Sequence, residues 1–336
     1  MKISLMVCLL AAGTALYAEE CSQLDILKAQ RNGASFDVTL RVVDDMGVPV
    51  EGARCEGWKW IDAHKDNGSS YETVTDSNGM ARVTGKCGKW VSVAVSKEGY
   101  YSSQDEIRFS GLKKNGMLGS YEWQPYGEKR ALILKKIRNP VSMVSQNGLK
   151  SFPIPRFDSW IGFDLDQYDF TNPYGKGNVA DFLLRFSRAS DQPGKYEMTM
   201  EVSFTNAPYA GGYVVKADIM SEMKSEYAAN TNLIYQKEIK YKYCRQVGVG
   251  DTSHLLGEND CLVFRTRVVL DEDGEIKSAR YGKIYGPWGF VGPRGMYMEH
   301  VYFNPTPNDT NLEDLETAER SRRDYLQQQE MRKNRK

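Results

Sequence analysis

Hydrophobic residues recur at every second position along much of this chain. Phe36, Val38, Leu40 and Val42 alternate with Asp37, Thr39 and Arg41, the pattern of a strand with one face in a core and the other in water. The turn signal Asp44-Asp45-Met46-Gly47 follows. Further strands are expected over 53–60, 71–74, 80–84 and 90–96, separated by Asn67-Gly68 and by Asp76-Ser77-Asn78-Gly79. A Gly-rich stretch, 111–127, reads as an excursion from the sheet, and 131–137 as one more strand. Arg138-Asn139-Pro140 breaks that strand and marks a domain boundary.

The same period returns beyond Trp160. Tyr196, Met198, Met200, Val202 and Phe204 form one face, while Leu262, Phe264 and Val268 belong to a strand that ends at the hairpin signal Asp271-Glu272-Asp273-Gly274. Segments 213–220 and 232–243 are also strand candidates, and 220–229 could form a helical turn or two. Short strands with frequent turns predict an all-β protein. Two blocks of alternating faces predict two β-sandwich domains, over 36–137 and a larger one over 141–310. Gly286, Gly289, Gly292 and Gly295 recur every third residue, too few triplets for a collagen helix. They read as a Gly-rich loop passing under Trp288 and Phe290.

Residues 312–336 change character. They lack Gly and Pro and run acidic first (Glu313, Asp314, Glu316, Glu319) and basic last (Arg332, Lys333, Arg335, Lys336). That order suits the helix dipole, and Glu316 to Arg320 and Glu319 to Arg323 have the four-residue spacing of stabilising pairs. A charged, solvated C-terminal helix is expected.

With 336 residues and 41% hydrophobic positions, the chain is long enough for two cores. Its 44 basic and 44 acidic residues cancel, which leaves no electrostatic footprint for nucleic acid. Lys2, the apolar run 3–16 and Ala18 read as a signal peptide over 1–18. The protein is therefore expected to be exported, with no membrane span left after cleavage; an uncleaved anchor is the alternative. Outside the cytosol paired cysteines become disulfides. Local separation favours Cys55 with Cys87 and Cys244 with Cys261, leaving Cys21 over, with free buried thiols as the alternative. No C-x-x-C spacing is present and His64, His254 and His300 lie far apart, which argues against zinc.

Val38-Thr39-Leu40-Arg41-Val42-Val43-Asp44, Gly47-Val48-Pro49-Val50-Glu51-Gly52-Ala53, Thr75-Asp76-Ser77-Asn78-Gly79 and Ser96-Lys97-Glu98-Gly99-Tyr100-Tyr101 occur in that order. Together they resemble the carboxypeptidase-regulatory-like, or transthyretin-like, domain, a small seven-stranded sandwich. The resemblance covers 36–137. It implies an accessory or adhesive module of exported bacterial proteins, without catalytic residues. Cys55 and Cys87, the Trp58 and Trp60 pair and the long segment 99–129 depart from it. The second half is similar to the partner region of secreted bacterial proteins that carry this domain, in the fragments Ile161-Gly162-Phe163-Asp164-Leu165, Pro173-Tyr174-Gly175-Lys176-Gly177 and Phe303-Asn304-Pro305-Thr306-Pro307-Asn308-Asp309. That likeness implies no activity.

Motifs of catalysis are scarce. Gly-x-Ser-x-Gly, His-Glu-x-x-His and a phosphate loop are all missing, and Gly248-Val249-Gly250 is a lone Gly-x-Gly. No catalytic residue and no cofactor is assigned. Asp164, Asp166 and Asp169 offer clustered oxygen ligands for calcium but lack the spacing of a hand motif; turn carboxylates are the alternative. If Ala53, Cys55 and Gly57 point into the first sandwich, as the resemblance implies, Trp58 and Trp60 point out of it. Two outward tryptophans could stack on sugar rings or bury themselves against the second domain. The expectation is an exported, non-enzymatic binding or structural protein with a protein or glycan partner. One alternative is a polysaccharide-binding module using Trp58 and Trp60. Another is an exported hydrolase with a C-terminal site built from carboxylates such as Asp164 and Asp169.

Overall fold

The computed structural model describes residues 21–62, 67–115, 120–148, 150–192, 195–204, 207–246 and 255–333. The expected signal peptide, His64, His254 and Gly248-Val249-Gly250 lie outside the described residues, and so does the side chain of Cys244. The protein is all-β with a C-terminal helix: strands hold 54% of it against 10% for helices. Among the described residues no helix is long and apolar enough to cross a membrane.

The first half is built from β1 (Ala34–Asp44), β2 (Arg54–Asp62), β3 (Asn67–Val74), β4 (Met80–Cys87), β5 (Trp90–Ser96), β6 (Ser103–Arg108), β7 (Gly111–Asn115), β8 (Ser120–Gln124) and β9 (Glu128–Leu134). Central β1 pairs antiparallel with β4 on one side; on the other it runs parallel to β9 and, at Ser35, to β8. The opposing sheet has the order β3-β2-β5-β6. Phe36, Val38, Leu40 and Val42 of β1 meet Val91, Val93 and Val95 of β5 in one buried cluster, so the period of two in β1 does place one face in a core. Gly79 closes the turn into β4 at φ 70°, where a Cβ would stand 2.3 Å from the Val42 carbonyl.

Two expectations need correction here. Residues 111–127 are no excursion: β7 and β8 extend the β1 sheet, and Trp123 of β8 is buried with its Nε1 donating to the Cys87 carbonyl at 2.8 Å. The sandwich thus exceeds the seven strands of the family it resembles. Ahead of β1, helix α1 (Gln23–Asn32) is fixed by a capping box, Ser22 accepting from the Asp25 N–H and Asp25 accepting from the Ser22 N–H.

The second half comprises β10 (Val144–Gln146), β11 (Lys150–Pro153), β12 (Trp160–Asp164), β13 (Asp169–Phe170), β14 (Phe182–Gln192), β15 (Lys195–Ser203), β16 (Gly211–Lys216), β17 (Glu238–Gln246), β18 (Asp260–Leu270), β19 (Ile276–Tyr285), β20 (Gly289–Val291), β21 (Gly295–Met298) and β22 (His300–Phe303). Sheet β13-β12-β14-β15-β17 faces sheet β10-β22-β19-β18-β16. Between them Phe182 meets Phe204 and Phe264 edge-on at 5.2 Å, the favoured arrangement of aromatic rings. The Gly-rich segment 286–295 is a short hairpin rather than a loop, with β20 paired to β21 and Trp288 fully buried. No helix forms over 220–229; the backbone there turns irregularly and bridges Ser221 to Ser103 and Ala228 to Asn311.

Helix α2 (Leu315–Lys333) is less solvated than its charges suggest. Asp314 caps it, its Oδ2 accepting from the Thr317 N–H at 2.8 Å. The small residues Thr317, Ala318 and Ser321 are buried where the two halves meet, beside Tyr101 and Met223. Glu319 and Arg323 form the expected pair at 4.0 Å, but Glu316 instead accepts from Ser145 and Asn147. Glu313, almost fully buried, clamps the linker: its Oε1 accepts from the Arg138 N–H at 2.6 Å and its Oε2 from the Asn139 N–H at 2.7 Å.

The expected Cys55–Cys87 and Cys244–Cys261 bridges are not formed; Cys55, Cys87 and Cys261 stand as free buried thiols. Geometry explains the first case. The Gly88 N–H donates to the Trp60 carbonyl, so Cys87 sits beside the far end of β2. Cys55 lies five residues back along β2, roughly 16 Å at about 3.3 Å per residue, whereas a bridge needs Cα atoms within ~7 Å. Burial pushes the Cys55 and Cys87 thiols up to about 12 and the Cys261 thiol up to about 11.

Candidate functional site

The outer face of β3-β2-β5-β6 can be read row by row from the strand registers. Val74, Arg54, Ser96 and Ser102 lead to Glu72, Glu56, Ala94 and Gln104, then to Ser70, Trp58, Ser92 and Glu106, and finally to Gly68, Trp60, Trp90 and Arg108. Trp58 and Trp60 share this face because side chains two apart on a strand point the same way. Trp90 of β5 stands directly across from Trp60. Ring centroids are 5.6 Å apart for Trp58 and Trp60 and 6.0 Å for Trp60 and Trp90, with planes tilted by 51° and 44°. The three therefore form one continuous aromatic surface. Trp58 is 37% exposed and the other two are half-buried.

Local chemistry fixes Trp58. At Gly57 the ladder between β2 and β5 is interrupted, since the Tyr71 hydroxyl passes beneath and donates to the Ser92 carbonyl at 2.8 Å. A Cβ at position 57 would stand 1.8 Å from that carbonyl oxygen, so only glycine fits. Ser92 Oγ then accepts from the Trp58 N–H at 2.9 Å and restores the lost partner. On the other side the Trp58 ring lies over Gly68, where a Cβ would come within 2.2 Å of Nε1. The rings contact one another along the sheet, and the second half reaches this sheet elsewhere, through Met220 and Ser221 against Gln104 and Ser103.

Next to the aromatic rows the face runs under α2 and closes into a groove of about 320 Å³. Glu56 and Gln104 of the sheet, Glu222 of the second half, and Asp324 and Gln327 of α2 line it. Arg54, on the neighbouring row, is only 8% exposed. One nitrogen, Nη2, pairs with Glu56 at 2.8 Å and Glu72 at 3.2 Å, while Nε and Nη1 have no hydrogen-bond partner.

The aspartates of the second half are arranged quite differently. Arg267 sits in a bulge of β18 at φ 51°, which turns its side chain toward three carboxylates. Its Nε and Nη2 donate to the two oxygens of fully buried Asp181, each at 2.8 Å, and it also pairs with Asp164 and Asp166. Burial raises the Asp164 pKa, but N–H donors from Val179, Asn178, Gln167 and Asp166 outweigh it and hold the carboxyl below its usual range. Asp169 serves another loop, accepting from the Phe170 and Lys176 N–H groups. So Asp164 and Asp166 are committed to a guanidinium and Asp169 to a turn. Among the described residues no group of three His, Cys, Asp or Glu side chains is placed to hold a metal ion.

His300 stacks on Tyr285 at 4.8 Å. Burial first, and then the nearby Lys224 and Arg320, push its pKa down to about 4.

No family model and no curated protein matches this chain. A 3-chlorocatechol 1,2-dioxygenase of Rhodococcus opacus 1CP is similar over 32% of this chain at 16% identity and a TM-score of 0.25, and the chain spans 62% of that structure. A shaft pilin of Lactobacillus rhamnosus GG is similar over 74% of this chain and 93% of its own, at 10% identity and a TM-score of 0.21. For the major pilin subunit of Bacillus cereus the shares are 83% and 100%, at 11% identity and a TM-score of 0.22. Likenesses at TM-scores this low carry no argument about this chain.

Sequence reasoning singled out Trp58 and Trp60 but passed over Trp90, Gln104, Glu222 and Asp324. Trp90 was within reach: it opens a strand whose alternating partners Val91, Val93 and Val95 already face the core. The groove residues come from distant segments, and no spacing in the sequence brings them together.

Proposed function

We propose that this chain is an exported, non-enzymatic binding protein that holds a polysaccharide on the outer face of β2 and β5. Its two domains are 36–137 and 141–310. The surface formed by Trp58, Trp60 and Trp90 carries this reading: three large apolar rings remain in contact with water on a face whose neighbouring rows are mostly Ser, Glu, Gln and Arg. An exposed aromatic cluster with a polar rim is the usual form of a recognition surface, and sugar rings present the C–H faces on which indoles stack. The apolar run 3–16 and Ala18 support export. The resemblance of 36–137 to an accessory module supports a role without catalysis. Native gels cast with soluble polysaccharides test the proposal. Wild type is expected to be retarded by at least one glycan, and Trp58→Ala with Trp60→Ala to run freely on it. Equal mobility of wild type and variant on every glycan tried would remove the reading.

Assembly with another protein is a second reading. Leu233 and Ile234, adjacent in the segment before β17, are 44% and 88% exposed. Analytical ultracentrifugation of wild type against Ile234→Lys separates it: a self-associating wild type and a monomeric variant would favour assembly.

A further inference from the structure

We infer that the site takes a single, flexible glycan chain that is neutral or amine-bearing, running from Trp60 and Trp90 across Trp58 into the groove under α2. This rests on the glycan reading above and adds the class and shape of the occupant. Three observations carry it. The first is the tilt of the rings. Successive planes differ by 51° and 44°, so no flat surface can lie on all three at once. A crystalline polysaccharide presents such a flat surface, whereas a free chain can rotate at each linkage and meet each ring in turn.

The second observation is continuity. Glu56, on the groove wall, is followed two residues later by Trp58 on the same face of the same strand. A chain leaving the last ring therefore enters the groove directly. At about 320 Å³ the groove is at the small end of ligand sites, ~300 to ~1,000 Å³, which suits one chain and excludes a bundle.

The third observation is the chemistry of the lining. Glu56, Glu222, Asp324, Gln104 and Gln327 supply carboxylates and amides, and no lining residue is a cation. Acceptors and amides in that number suit hydroxyl and ammonium groups. Two neighbouring cations are already engaged, Arg54 by Glu56 and Glu72 and Arg320 by Glu222 at 3.5 Å. A uronate or sulfated chain would find no cation in the lining and would bring its charges against Asp324 and the already paired Glu56 and Glu222, an unfavourable contact.

The test uses the full chain. Soluble hydroxyethyl cellulose, chitosan at mildly acidic pH and alginate are compared in native gels, with sedimentation on crystalline cellulose and crystalline chitin powders. Retardation by hydroxyethyl cellulose or chitosan, none by alginate and no sedimentation with either powder are expected. Asp324 lies on the exposed side of α2, so Asp324→Lys should fold. It is expected to weaken chitosan binding by about tenfold, the scale of one screened charge contact, and to leave Trp58-dependent binding to hydroxyethyl cellulose in place. Trp58-dependent binding that favours alginate, that sediments with a crystalline powder, or that shows the same chitosan-to-alginate preference after Asp324→Lys would overturn this inference alone. If no glycan of any class retards the wild type, the glycan reading falls, and this inference with it.

Discussion

Two sheets of this molecule obey the same strand geometry and are used in opposite ways. Sheet β3-β2-β5-β6 packs one face on a core of valines and leaves part of the other face to water, where its tryptophans lie. Sheet β10-β22-β19-β18-β16 is covered on both faces around β19. Gly282 and Ile284 of β19 look toward Phe264 and the sandwich core, while Lys283 and Tyr285 look the other way, toward Met223, Ser225 and Tyr302. Ionisable groups are trapped on the covered sheet and apolar rings are exposed on the open one. Each arrangement is costly in solvation terms, and the two costs lead to different consequences. Buried charges make the second half responsive to substitution and pH. Exposed rings give the first half a surface for a ligand.

The largest expected effect belongs to the covered sheet. Arg267→Ala leaves Asp181 and Asp164 buried without their cation, and is expected to lower unfolding stability by about 3 to 5 kcal/mol in urea titration. Trp58→Ala on the open sheet should change stability by no more than about 0.5 to 1 kcal/mol while abolishing glycan retardation. If Trp58→Ala proved the more destabilising of the two, the contrast between the sheets would fail.

Lys283 gives an effect of opposite sign. Full burial pulls its pKa down to about 8, and among the described residues its Nζ has Ser225 Oγ at 3.1 Å and Met223 Sδ at 3.9 Å as hydrogen-bond partners. Lys283→Met removes a buried charge and nearly conserves volume. A gain in stability of about 1 to 4 kcal/mol is expected at neutral pH, measured as a higher urea midpoint.

His300 sets a smaller, pH-dependent effect. Its imidazole titrates at 6.5 when unfolded and at about 4 in the fold, so between those values the unfolded chain holds more protons. Stability is therefore complete above pH 6.5 and declines as pH falls toward about 4. The melting midpoint should drop over that interval at roughly 2 to 4 °C for each kcal/mol lost, and His300→Gln should flatten the slope. The smallest effect concerns the thiols: Cys55, Cys87 and Cys261, buried and hard to ionise, should resist alkylation in the native protein and react after denaturation. Peptide mapping reads each site, and modification of any of them under native conditions would contradict their placement.

The sequence revealed the wet strands most clearly. β1 and β5 alternate because one face of each meets solvent, so Phe36, Val38, Leu40 and Val42 could be assigned to a core directly. β18 was read only in part and β19 not as a strand at all, because covered strands carry side chains such as Arg265, Lys283 and Tyr285 that break simple alternation. β6, Ser103–Arg108, buries only Ser103 and Ile107 and puts Asp105 between them on the inward face, and such an edge strand looks like a loop. The capping pair Ser22 and Asp25 went unread, so α1 was missed, although Ser-x-x-Asp is a helix-start signal. The pairing of cysteines was not legible, because it depends on which end of β2 lies beside Cys87. Of the candidate site, the outward tryptophans followed from residue parity along β2, whereas the groove required α2 and Glu222 to arrive from elsewhere in the chain.

The most direct test of the central claim, that the open face of β2 and β5 is the binding surface, is tryptophan fluorescence during titration with soluble hydroxyethyl cellulose and chitosan. Trp123 and Trp288 are fully buried and Trp160, which is exposed, lies on β12 of the second half, so a ligand on this face should act through Trp58, Trp60 and Trp90. The account predicts a saturable shift and reduced acrylamide quenching in wild type, both lost in Trp58→Ala with Trp60→Ala. A saturable shift that survives in that variant would place the binding surface elsewhere and contradict the account.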